Sequence, residues 1–264
     1  MTAPGHAPHD PHPMTPGQKP PTDRLYGRIR GHSLRPRQQA LLEITLPRLR
    51  IPLAAAATPH ALFPVPTTRL AVEIGFGGGE HARALAQSDP ALGIIACEIY
   101  DSGIASLLSA LLPKGTDPAS APLPPNLRLW DDDARPLLRA LPPACLDLVV
   151  LMFPDPWPKA RHARRRFLHP GQLALVARLL PQGATWRVAT DDPTYQAWVT
   201  EVMAAQTLFD APAPVTVRPG GWPPTRYEAK ALRAGRTPLY WSFARTATPA
   251  PAVEPETRWT PAPV

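Results

Sequence analysis

The order of apolar and amphipathic segments predicts an α/β fold, a mostly parallel sheet with helices on both faces. Three observations carry that prediction. Short apolar runs alternate with stretches of helical periodicity along the middle of the chain. One run, Leu146–Phe153 (LDLVVLMF), is apolar enough to be buried on both faces, as central parallel strands are. A glycine-rich turn, Gly75, Gly77 and Gly79, follows the first strand directly.

The elements follow in order. Leu70–Gly75 (LAVEIG) reads as the first strand, and Glu80–Gln87 as the first helix after the turn. Gly93–Tyr100 (GIIACEIY) is a strand and Ser102–Leu112 a helix. Pro113–Pro125 has five prolines in thirteen residues and reads as a surface loop, since proline lacks the N–H that helix and central strand require. Asn126–Trp130 is a strand ending in three aspartates, and Leu146–Phe153 is the fourth strand. Pro170–Leu180 is a helix, Ala184–Ala189 a strand, and Pro193–Ala205 a helix with proline at a tolerated first-turn position. Arg226–Ala234 reads as helical and Leu239–Arg245 (LYWSFAR) as the last strand. There is no internal repeat.

At 264 residues the chain has the size of one domain. Residues 1–23 and 247–264 read as disordered Pro-rich tails, the first also rich in His. They leave a folded unit over 24–246, with a basic N-terminal segment at 24–50. Hydrophobic residues make up 44% and charged residues 19%, which excludes global disorder. No apolar run approaches the ~20 residues of a spanning helix, so no membrane is expected. The N-terminus lacks the basic start and apolar run of a secretory signal. Cys97 and Cys145 sit in apolar runs without a second Cys or His at ligand spacing, and read as buried thiols in a reducing cytoplasm, with no metal site.

The turn VEIGFGGGE (Val72–Glu80) lets a ligand approach the backbone at a helix start. Its glycines fall at spacing G-x-G-x-G, unlike the dinucleotide pattern, and Glu80 disfavours a pyrophosphate at that helix N-terminus. A cofactor without phosphates fits better. Glu73, inside the first strand, is a candidate ligand. Glu98, at the end of the second strand, can accept both hydroxyls of a ribose. Asp133 ends the third strand, where an adenine edge would lie, although one of Asp131–Asp133 is also expected to cap a turn. Glycine turn, ribose acid and third-strand acid together resemble the class I S-adenosylmethionine-dependent methyltransferases. That resemblance implies a Rossmann-like, seven-stranded sheet with one reversed edge strand.

Phe153–Lys159 (FPDPWPK) lies at the carboxyl end of the fourth strand, where open α/β sheets bind ligands. Asp155 is fixed between two prolines, and Trp157 either stacks on a planar substrate or packs beneath the loop. Lys159–Arg166 (KARHARRR) then places five permanent positive charges in eight residues. Arg24, Arg28, Arg30, Arg35 and Arg37 add a second basic run. The net charge is +7. Like charges at this density repel unless an anion compensates, so the substrate base is expected to belong to a nucleic acid.

The segment FPDPWPKARHARRRF is similar to the signature of the bacterial tRNA (guanine-N7)-methyltransferases. RGHSLRPRQQALLE (30–43), EIGFGGGEH (73–81), RVATDDPTY (187–195) and PPTRYEAKALRAGRTPLYWSF (223–243) resemble further blocks of that family. The resemblance implies methyl transfer from S-adenosylmethionine to N7 of a variable-loop guanine, position 46, of tRNA. It places the cofactor contacts on Glu73, Gly75, Gly77, Glu98, Asp133 and Asp155, with Asp155 also catalytic. Substrate contacts fall on Lys159, Asp191, Thr225, Arg226, Tyr227 and Glu228, while the charge density of the same segment places RNA contacts on Arg161, Arg164, Arg165 and Arg166. The tetrad Thr-Arg-Tyr-Glu replaces the family's Thr-Lys-Phe-Glu, and Gly235–Arg236 replaces its Gly-His. Other readings are a non-catalytic tRNA-binding subunit, a methyltransferase of the same fold with another substrate, and a nicotinamide oxidoreductase, which the glycine spacing disfavours. Monomer and homodimer both remain open.

Overall fold

The computed structural model describes residues 33–253. The N-terminal tail at 1–23, most of the C-terminal one, and Arg24, Arg28 and Arg30 lie outside the described residues.

Two short helices, α1 (Pro36–Ala40) and α2 (Leu46–Leu49), flank a π-helical turn at Leu41–Thr45. Two 3-10 turns, Leu53–Ala57 and Pro59–Leu62, lead into the sheet. The sheet then builds as β1 (Arg69–Ile74), α3 (Glu80–Ser88), β2 (Leu92–Cys97), α4 (Asp101–Leu111), β3 (Leu127–Trp130) and α5 (Ala134–Ala140). It continues with β4 (Leu148–Met152), a 3-10 turn at Ala160–Arg165, α6 (Pro170–Leu179), β5 (Thr185–Thr190), α7 (Pro193–Ala204), α8 (Arg226–Arg233) and β6 (Leu239–Ala244).

Strand order is β3-β2-β1-β4-β5-β6, parallel except for β6, which runs antiparallel to β5. Among the described residues the sheet has six strands rather than the seven expected. The segment beside β6 makes only isolated bridges, Phe209 to Arg245 and Val215 to Tyr240. Pro212 and Pro214 lie between them and cannot donate to a ladder, so a full edge strand does not form.

Strand side chains alternate between two cores. Leu70, Val72 and Ile74 of β1 belong to the core shared with α5, α6 and α7. Ala71 belongs to the other, which holds α3, α4 and the N-terminal helices. The N-terminal helices also tether the Pro-rich loop: Arg37 donates to the carbonyls of Leu112 and Pro113, each at 2.7 Å. Arg48 donates to those of Pro118 and Ala121. Arg37, expected in a nucleic-acid surface, is therefore engaged by its own chain.

The order reverses between β1 and β4, because β1 leads outward to β2 and β3 while β4 begins the other half. The crevice at the carboxyl ends of the strands at such a switch point is where these sheets take ligands.

Candidate active site

A cavity of about 490 Å³ opens at that crevice, within the range of small-molecule sites. Its wall includes Gly75, Gly77, Glu98, Asp133, Asp155 and Tyr227, all expected from sequence. Arg164, Arg165 and Arg166 also reach it.

The glycine turn forms one side. Gly75 has φ +71° and is solvent-exposed, and a Cβ there would meet nothing within 4 Å, so its backbone is open to a ligand. Gly77 has φ +58°, and a Cβ there would come within 2.8 Å of the Tyr227 ring. The turn is held by Glu98, whose Oε2 accepts from Gly77 N–H at 2.7 Å. Its Oε1 accepts from the N–H groups of Ile99 and Tyr100 at 2.8 and 3.0 Å. Burial raises the Glu98 pKa, the three backbone N–H groups oppose that, and the nearby Asp155 carboxylate raises it further. Glu98 thus fixes the turn as well as facing the cavity.

Asp133 caps α5, accepting from Arg135 N–H at 3.0 Å, and the Arg135 guanidinium clasps both its oxygens. Glu73 is placed elsewhere. The strand's period of two turns it away from Ile74, which lines the cavity, and toward α3. There Glu73 Oε2 meets His81 Nδ1 at 2.9 Å, both side chains being buried. The structure therefore makes Glu73 the buried partner of His81 beneath the turn rather than part of the cavity wall.

The segment after β4 carries unusual backbone. Phe153 and Trp157 have φ of +50° and +44°, a region bulky residues adopt only when their surroundings impose it. Phe153 N–H donates to the Ala189 carbonyl on β5 at 2.7 Å. Arg166 donates to the carbonyls of Pro156 and Trp157, both at 3.0 Å, and stacks over Trp198 of α7 with its Cζ 4.7 Å from the ring centroid. Arg166, expected to contact RNA, is instead buried at 4% exposure and clamps the loop from within. Asp155 is held exposed at the cavity rim. Trp157 lines the cavity with Arg165 over one face, Cζ 4.9 Å from the centroid, and His162 at its edge.

Lys159, Arg161 and Arg164 are exposed along the 3-10 turn beside the cavity. The pKa of His162 among them is lowered by desolvation and by Arg165, Arg161, Lys159 and Arg164. Four cations acting on one imidazole mark a surface of dense positive charge.

Of the tetrad, Tyr227 alone lines the cavity. Thr225 caps α8, its Oγ1 accepting from Glu228 N–H at 3.0 Å. Glu228 is buried and accepts from Arg218 and from Tyr240 Oη. Arg226 pairs with Glu80 at 3.7 Å, so α8 docks across the start of α3. Asp191 lies off the wall and pairs with Arg236, the residue that replaces the family's histidine.

Among the wall residues without a functional assignment from sequence are two polar ones on α6 and its cap, His169 and Gln172. His169 caps α6 by accepting from Gly171 N–H at 3.1 Å, and burial together with Arg135 pushes its pKa down to about 4. Gln172, on the first turn of α6, is 7% exposed. A polar side chain on the buried side of a predicted helix was the available signal for it.

Among the described residues no cluster of His, Cys, Asp or Glu is suited to a metal ion, and no helix is long and apolar enough to cross a membrane. Residues 67–240 match a family described as "Putative methyltransferase". The chain is 62% identical over 223 residues to the tRNA (guanine-N(7)-)-methyltransferase of Granulibacter bethesdensis, covering 84% of this chain and 95% of that one. It is 44% identical over 238 residues to the enzyme of the same name from Rhodospirillum rubrum, covering 86% and 90%. An open cavity with four carboxylates in its wall at the sheet's switch point, a basic segment beside it and likeness over nearly the whole length of these relatives agree: the chain belongs to the bacterial tRNA (guanine-N7)-methyltransferase family.

Proposed function

We propose that this protein transfers a methyl group from S-adenosylmethionine to N7 of guanine 46 in the variable loop of tRNA, in the cytoplasm. The observation that carries this reading is the coexistence of one cavity lined by Glu98, Asp132, Asp133 and Asp155 with a cationic segment at its edge.

The residues fit the cofactor. It carries no phosphate, and the turn has Glu80 where a phosphate would approach the helix N-terminus. Its sulfonium and ammonium charges suit a carboxylate-lined wall. Gly75 leaves the backbone open to it, Gly77 brings the turn against Tyr227, Glu98 lies at the ribose position and Asp133 near the base. Bound there, it would supply an electrophilic methyl group with a neutral thioether as the leaving group.

Guanine N7 has a lone pair and no proton, so this chain needs no general base. Its task is to hold N7 in line with the methyl carbon. As the N7–C bond forms and the C–S bond breaks, positive charge moves to the guanine ring. Asp155, exposed at the rim, opposes that charge and accepts from the N1–H or N2–H of guanine. Tyr227 and Trp157 wall the slot. Lys159, Arg161, Arg164 and Arg165 hold phosphates, while Asp191, Thr225, Arg226 and Glu228 support the substrate side through α8 and the loop after β5. Arg236 must yield Asp191 if that carboxylate touches RNA.

Incubating the protein with labelled S-adenosylmethionine and unmodified tRNA, then cleaving chemically at N7-methylguanine, tests the reading. Label confined to the variable-loop guanine is expected; label at another base or none at all would refute it.

A further inference from the structure

We infer that Gln172 reads the adenine edge of the cofactor and so sets the cavity's preference for an adenosyl ligand. This rests on the reading of the cavity as an S-adenosylmethionine site.

Four observations lead there. Gln172 forms part of the cavity wall, is 7% exposed, and its Oε1 is buried with no hydrogen-bond partner among the described residues. Buried side-chain polar atoms are nearly always satisfied, and a lone one in a cavity wall points to a missing ligand atom. Its position is at the adenine end. Helices α5 and α6 pack together, and the first turn of α6 lies close enough to Arg135 for that cation to depress His169. The acceptor expected there, Asp133, is already filled by the N–H and guanidinium of Arg135. A purine bound between these helix starts thus meets an occupied carboxylate and an unoccupied amide.

The chemistry selects the base. A carboxamide offers one acceptor and one donor group, and turning it by 180° exchanges them in place. Adenine presents N6–H as donor beside N7 or N1 as acceptor, the bidentate match for glutamine. Guanine presents two adjacent acceptors, O6 and N7, on its major-groove edge, and its N7 must stay free to be methylated. Gln172 therefore suits the cofactor's base rather than the substrate's.

The test compares binding of S-adenosylhomocysteine with its purine-riboside analogue, which lacks the N6 amino group, in the wild-type protein and in Gln172→Met and Gln172→Glu. The wild type is expected to bind the adenine ligand about tenfold more tightly than the analogue, and Gln172→Met to lose that preference with tRNA affinity unchanged. Gln172→Glu, which keeps the acceptor alone, should retain part of it. Since Oε1 has no partner among the described residues, the ligand-free melting temperature of Gln172→Met should not fall. Undiminished discrimination in Gln172→Met, or a weakened tRNA complex with unchanged cofactor binding, overturns the inference. A wild type that binds neither ligand overturns the cofactor reading itself and the inference with it.

Discussion

Arg166 donates from Nη2 to the carbonyl oxygen of Trp157 at 3.0 Å, linking the end of the basic run to a residue at φ +44°. The arginine lies beneath the loop that carries Asp155, and neighbouring arginines lie on its outside. Arg166→Ala should therefore act through loop order. Loss of charge-assisted hydrogen bonds of this kind costs about 2 to 3 kcal/mol, and methyl transfer should fall tenfold or more. The salt dependence of tRNA binding should stay as it is. A flattened slope in this variant would place Arg166 on phosphate.

The exposed cations should behave in the opposite way. Replacing Lys159, Arg161 and Arg164 together with Ala should leave stability nearly unchanged and lower the slope of log K against log salt by roughly 2 to 3, one phosphate each. An unchanged slope, measured by filter binding across a salt series, would return these residues to a solvated surface.

Asp155→Ala should separate chemistry from binding. Single-turnover methyl transfer should drop by about a hundredfold or more, the scale of removing one preorganised charge-stabilising group. The tRNA dissociation constant should move by less than about threefold, because phosphates supply most of the affinity. Near-normal turnover would remove Asp155 from the mechanism.

His169 predicts a pH dependence of folding. Its pKa is about 4 in the folded chain against an ordinary 6.5, so between those values the unfolded state binds the extra proton. Stability contributed by the neutral cap is complete above pH 6.5 and is lost as pH falls toward 4, by at most about 3 kcal/mol. Urea midpoints for wild type and His169→Asn, which keeps a side-chain acceptor for Gly171, should converge or cross between pH 6.5 and 4.5. Parallel curves would show that His169 titrates normally.

Much of this site was legible because its parts sit at strand ends. Strands β1, β2 and β4, the glycine turn and the helices after β4 and β5 fall close to where periodicity and capping residues place them. Helix α5 was not legible, since Pro136 near its start masks a seven-residue element whose cap, Asp133, reads equally well as a ligand. Glu73 shows a different limit. Its place on a central strand was evident, but the face it takes depends on His81, eight residues away on the next helix. Arg166 and Arg37 show that charge density does not reveal which cations turn inward to satisfy carbonyls. The seventh strand was lost to two prolines whose effect on an edge depends on which partner they face.

A single-atom substitution in the RNA tests the account most directly. A tRNA carrying 7-deazaguanine in place of guanine 46 keeps the base's shape and its N1–H, N2–H and O6, but has C–H where N7 was. The account predicts that this tRNA binds as an inhibitor comparable in affinity to unmodified tRNA and accepts no methyl group, while the normal transcript accepts one. Methyl incorporation into the deaza transcript at the normal rate would contradict it.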